Sequence, residues 1–121
     1  MAEQLIRASA QRVPGSAQKA RLVADQVRGV SALDALDRLK FMPHKAARQV
    51  AKVVRSAVAN AEEAYGLDAE ELYVHTVAVD EGPTRRWRRF GARGRWKPIL
   101  RRTSHITVLL ASHEELGEES T

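Results

Sequence analysis

Apolar residues recur at helical spacing along residues 44–65. Ala46, Ala47, Val50, Val53, Val54, Ala57, Val58 and Ala61 fall on one broad face, which predicts an amphipathic helix packed closely through small side chains. Lys45, Arg48, Lys52 and Arg55, spaced 3, 4 and 3 residues apart, make a cationic stripe roughly 180° away at about 100° per residue. Gly66 stops the pattern, and LDAEE after it is a polar connection.

Two shorter helices come first. Ala20, Val23, Ala24 and Val27 make a stripe over 17–28, with Ser16 as N-cap and Gly29 where a C-terminal glycine usually sits. Ser31 with Asp34 three residues on resembles a capping box, opening a helix with Leu33, Leu36 and Leu39 at helical spacing. Phe41-Met42-Pro43 closes that helix, since proline disfavours helix in the residue before it.

Alternation replaces helical spacing elsewhere. Residues 4–12 set Ile6, Ala8 and Ala10 against Leu5, Arg7 and Ser9, as in a short edge strand, and Pro14-Gly15 marks a turn. Leu72–Asp80 reads as a strand by alternation and β-branched content. Ile106–Ala111 reads as a second, with Ile106, Val108 and Leu110 on one face. Glu81-Gly82-Pro83 supplies turn chemistry between them, and the glutamate-rich tail from 113 to 121 is expected to fray.

If those two strands pair antiparallel, residues 81–105 form an arm between them. Half of those 25 residues on each side, at roughly 3.3 Å per residue, reaches on the order of 40 Å. Ordinary hairpin loops are much shorter, and an isolated two-stranded ribbon is marginal in water. The arm is therefore expected to take its order from a partner. The expected organisation is one domain, with a body of 1–80 and 106–112, the arm, and the acidic tail.

Charge identifies the kind of partner. Between Arg85 and Arg102 lie eight arginines and Lys97 with no acid, and taking those nine charges from the formal net of +5 leaves −4 for the rest. Unpaired charge of this density cannot be buried in an apolar core. The sequence pI near 10.1 agrees with nucleic acid or another anionic surface as partner. A disordered basic linker is the plain alternative. The flanking strands and the interleaved Trp87, Phe90 and Trp96 favour specific contacts, because arginine forks onto phosphate and both arginine and aromatic rings stack on bases. Beside such an arm, the Lys45/Arg48/Lys52/Arg55 stripe becomes a second RNA-facing surface rather than a merely solvated one. Ser16, Gln18, Lys19, Arg21 and Arg28 add a polar edge at the first helix, whose amino terminus can receive a phosphate.

Composition narrows the remaining classes. At 121 residues and 44% hydrophobic with 5% aromatic, the body is one aliphatic, alanine-rich unit. No cysteine means no disulfide and no thiolate metal site. The start has no apolar core of signal-peptide length and no run approaches a membrane span, so a soluble cytoplasmic protein without membrane contact is expected. His44, His75, His105 and His113 show no metal-ligand spacing, and Asp68, Glu70 and Glu71 look like a solvated connection. No phosphate loop or nucleophile elbow is present. No metal, cofactor or catalysis is expected. A free regulatory RNA- or DNA-binding protein remains a rival, and a nucleic-acid-processing enzyme a distant one.

SAQKARLVADQVRG (16–29), KVVRSAVANAE (52–62), VDEGPT (79–84) and RRTSHITVLL (101–110) together resemble the ribosomal protein L twenty-two family of the large subunit, in its bacterial form, over nearly the whole chain. Arg86, Ala92, Gly94, Arg95, His105, Ile106, Val108 and Leu110 match the family's arm motif. Gly91 stands where the family has a basic residue, and Trp87–Phe90 departs from the usual Lys-Arg, apolar and proline run. The resemblance implies an α+β fold: three helices packed on a small antiparallel three-stranded sheet, with a long basic β-hairpin arm.

It also implies a structural protein that binds large-subunit (23S-type) ribosomal RNA beside neighbouring ribosomal proteins. In that family the arm lines the peptide exit tunnel, near the nascent peptide and the macrolide-binding region, and the body lies near the tunnel exit and helps assembly. The expected RNA contacts are Ser16, Gln18, Lys19, Arg21, Arg28, Lys45, Arg48, Lys52 and Arg55 on the body. On the arm and its root they are Arg85, Arg86, Trp87, Arg88, Arg89, Phe90, Gly91, Arg93, Gly94, Arg95, Trp96, Lys97, Arg101, Arg102, Ser104 and His105.

Overall fold

In the computed structural model, strand β1 (Ile6–Pro14) leads into helices α1 (Ala17–Asp25), α2 (Ala32–Phe41) and α3 (Lys45–Tyr65). A short 3-10 turn (Ala69–Glu71) precedes β2 (Leu72–Glu81), followed by β3 (Arg85–Phe90), β4 (Trp96–Arg101) and β5 (Thr103–Ser112). The structure describes residues 5–91 and 94–112, with 87–90 and 96–99 as backbone only. Gln4 of the first predicted strand, Ala92 and Arg93 of the arm, and the glutamate-rich tail lie outside the described residues.

β5 is the centre of the body sheet, antiparallel to β1 on one side and β2 on the other. Its inward residues Ile106, Val108 and Leu110 are fully buried under the helices, the face that their alternation predicts. The strand begins at Thr103 rather than Ile106, because Pro14, Val13 and Glu81 on the flanking strands offer pairing to Thr103 and Ser104.

Each edge strand carries a register shift against β5. Between Val74 and Thr76 the shift accommodates His75 as an extra residue, so Val74 and Val77, three apart, both face the core. Between Ala10 and Val13 the chain likewise gains a residue, which returns Val13 to the inward side. Such bulges bend an edge strand while keeping its apolar set on one face.

The helices follow their predicted periods with two differences. α1 ends at Asp25 instead of continuing to 28. Gln26 and Val27 form tighter i−3 bonds to Val23 and Ala24, and then Gly29 donates to the Val74 carbonyl and Val74 to the Val30 carbonyl, each at 2.8 Å. Backbone pairing with the edge of β2 draws this segment out of the helix. In α2 the buried stripe is Ala32, Ala35 and Leu39 with Leu36 half-buried, while Leu33 is exposed. Small side chains let α2 lie close to its neighbours, leaving Leu33 at the surface. Ser31 does cap this helix, its hydroxyl accepting the Asp34 amide at 3.2 Å. Ser16 occupies the N-cap of α1 but makes no side-chain cap bond.

On α3 the whole predicted apolar face packs against the core, with Ala46 half-buried and Ala51 added, and Gly66 ends the helix in the left-handed conformation. Burying each valine or leucine of such a core contributes roughly 1.5–3 kcal/mol relative to exposure. No helix among the described residues is long and apolar enough to cross a membrane.

Candidate nucleic-acid interface

The arm is a two-stranded ribbon, β3 against β4, separate from the body sheet. Each strand has six residues, so the paired part spans about 20 Å at roughly 3.3 Å per residue, half of the fully extended reach. Gly91 donates to the Arg95 carbonyl across the tip, and Gly94 there has φ +70°, a conformation that glycine adopts without steric cost.

The register of the ribbon sets Arg85 opposite Arg101 at its base. Like charges directly opposite one another destabilise a strand pair.

The root of the arm is laced by backbone bonds. Gly15 donates to the Arg102 carbonyl at 2.9 Å, and Gly82 to the Thr103 carbonyl at 2.9 Å. The Thr103 hydroxyl donates to the Pro83 carbonyl at 2.7 Å. These bonds tie the turn before α1 and the end of β2 to the start of β5, and so set where the ribbon leaves the body.

This lacing gathers cations from distant parts of the chain. Arg12, Lys45, Arg85, Arg101 and Arg102 line one cleft of about 860 Å3, together with Ser16 and, among the described residues, without any acid. Lys45 also lines a groove of about 930 Å3 between α2 and α3, shared with Arg48 and Arg55. It therefore joins the body's cations to the arm root in one track. A smaller cavity of about 320 Å3 beside the root is lined by Ser16, Gln18 and Arg102, but also by Glu81. Lys19 and Lys52 are exposed on their helices. A row of cations with no carboxylate among the described residues that line it concentrates positive potential and matches a chain of phosphates.

Several predicted contact residues have other duties. Arg28 gives two guanidinium bonds to the Val77 carbonyl, at 3.1 and 2.6 Å, and pairs with Asp25. Arg21 donates to the Val79 carbonyl at 3.0 Å. Both side chains thus cap carbonyls along the outer edge of β2, which would otherwise offer a template for strand addition. Ser104 is only 1% exposed, held in the centre of the sheet opposite Val13 and Glu81. Its side chain is therefore not part of the body's surface. His105 is half-buried inside β5, its Nδ1 accepting the Arg12 amide at 3.1 Å.

Arg85, Arg86, Arg95, Arg101 and Arg102 are exposed, as is Gly94, while Gly91 is half-buried. For Trp87, Arg88, Arg89, Phe90, Trp96 and Lys97 the description covers backbone alone, and Arg93 lies outside it.

Arg12 is the contributor that pattern reading missed. It sits in the bulge of β1 with φ +55°, the only non-glycine residue of positive φ among those described. A left-handed arginine carries roughly 1–2 kcal/mol of local strain, offset here by the bond to His105. No sequence signal marks this position, since glycine or asparagine is the usual occupant of such a conformation.

The arrangement is thus an aliphatic α+β body carrying a cationic track into an arginine ribbon. The sequence pattern that defines one family, described as ribosomal protein L22p/L17e, matches residues 8–111. That span takes in most of β1, the three helices, the arm and nearly all of β5, and the chain belongs to the ribosomal protein L22p/L17e family.

Proposed function

We propose that the ribbon β3–β4 lines the peptide exit tunnel of the large ribosomal subunit, with the body near the tunnel exit and the nascent peptide as a neighbour of the arm. Family membership makes the protein a structural constituent of that subunit that binds ribosomal RNA. Its surroundings are accordingly RNA and other ribosomal proteins. The finer placement rests on the family resemblance of the arm and on its chemistry. The observation that carries it is the cationic cleft at the arm root, where Lys45 links the body's cations to Arg85, Arg101 and Arg102.

The protein works without catalysis in this reading. Arginines of the ribbon neutralise phosphates where RNA helices converge, which favours the compact RNA and so assists assembly. Glutamine at Arg88, Arg89, Arg93 and Arg95 together leaves the body folded, weakens binding to large-subunit RNA and makes its salt dependence shallower. Unchanged affinity with an unchanged slope overturns the role of the arm.

The tunnel placement has its own test. The chain has no cysteine, so Gly91→Cys gives a single thiol at the ribbon tip. Cross-linking of that thiol to a stalled nascent chain in ribosomes carrying the variant supports the placement. Labelling only of RNA or of other proteins opposes it.

A further inference from the structure

We propose that the groove between α2 and α3 is a site for one unpaired nucleotide of ribosomal RNA, taking the base on its apolar floor and the adjoining phosphates on its rim. The proposal rests on the reading of the protein as RNA-binding and gives that reading a second site away from the arm. Leu36, Leu39, Met42 and Ala51 supply the floor of this groove of about 930 Å3. Lys40, Lys45, Arg48 and Arg55 stand around it, and its lining contains no acid among the described residues.

Three features favour a nucleotide. First, the cations form a row: Lys45 to Arg55 spans ten residues of helix, or about 15 Å along its axis, which suits successive phosphates better than one carboxylate. Second, the row is continuous with the arm-root cleft through Lys45, which lines both. A strand leaving the groove toward the arm stays on positive surface.

Third, Phe41 lies in the chain between Lys40 and Met42 and is 77% exposed, the most exposed large apolar side chain among those described. The Lys40 ammonium lies 5.8 Å from the centroid of its ring. Phe41 stands outside the groove's lining, so its ring stacks the base next to the one held in the groove while the Lys40 ammonium takes a phosphate between them. A duplex cannot use such a groove, because its bases are already stacked.

The test is a titration of the full-length 15N-labelled chain, followed by amide chemical shifts. Three probes are used: an unpaired heptanucleotide of mixed sequence, a duplex of the same sequence, and a peptide of alternating glutamate and leucine. The heptanucleotide is expected to shift amides at 36–48 saturably, in addition to those of the arm. Phe41→Ala should weaken the groove-site affinity roughly tenfold, while the arm shifts and the rest of the spectrum stay as they were. Glutamine at Arg48 and Arg55 should lower the salt slope of that site by about one to two.

A silent groove with shifting arm overturns the proposal and leaves the RNA-binding reading standing. Equal shifts with the duplex overturn the unpaired base, and tighter groove binding by the acidic peptide assigns the groove to a protein partner instead. RNA that shifts neither region overturns the reading on which the proposal rests.

Discussion

Gly82 and Thr103 meet where the arm leaves the body, and no side chain fits between them. A Cβ built on Gly82 would stand 2.5 Å from the Thr103 Oγ1 and 3.3 Å from both its carbonyl carbon and the His105 ring. Thr103 cannot rotate away without losing its bond to the Pro83 carbonyl. Glycine is needed here for close approach, its φ being unremarkable. Gly82→Ala is expected to destabilise the protein by roughly 1–3 kcal/mol, the usual range for overpacking. Pairing it with Thr103→Ala should cost less than the two single changes added together, a coupling that urea denaturation of the four proteins measures.

Arg28, in the turn after α1, and Lys52, on α3, are both exposed cations, yet they should behave differently. Truncating Arg28 leaves the Val77 carbonyl without two donors, and a loss on the order of 1 kcal/mol is expected after allowing for water access at this partly exposed site. Lys52→Ala should stay within about 0.5 kcal/mol of the parent. Hydrogen exchange at the outer edge of β2 should quicken in the Arg28 variant alone.

At Arg12, backbone strain and charge can be separated. Arg12→Gly relieves the positive φ but adds chain entropy to the unfolded state, so its stability should lie within about 1 kcal/mol of the parent. Arg12→Val keeps the strain in a β-branched residue and should lose roughly 1–2 kcal/mol. Both should weaken RNA binding and lower its salt slope by about one. Affinity that follows stability, and not charge, would remove Arg12 from the interface.

The two serine caps offer a matched pair. Ser31→Ala loses the bond to the Asp34 amide and should cost about 1 kcal/mol. Ser16 makes no such bond, so Ser16→Ala should change stability by no more than a few tenths of that amount. Thermal melts of the two variants give the comparison.

Most of the body could be read from the chain, for a local reason. The apolar face of α3, the stripe of α1 and the alternation in β5 each mark a surface that must leave water, whatever it packs against. Such periods need only neighbours in sequence. The same holds for the arm's charge and for its place between two strands. The errors lie where tertiary contact competed with a local signal. α1 stops at Asp25 because Gly29 and Val30 bond to β2, and Leu33 stays in water because Ala32 and Ala35 permit closer packing.

The candidate interface was legible as composition but not as geometry. Arg21, Arg28 and Ser104 carry the right chemistry for RNA, yet the fold commits two to the edge of β2 and buries the third. Sequence alone determined an aliphatic body, an arginine arm and a family. Tertiary structure decided that Arg12, Lys45, Arg85, Arg101 and Arg102 share one cleft. The reason is that bulges, edge caps and the Gly82–Thr103 contact depend on residues far apart in the chain, whose meeting no local period encodes.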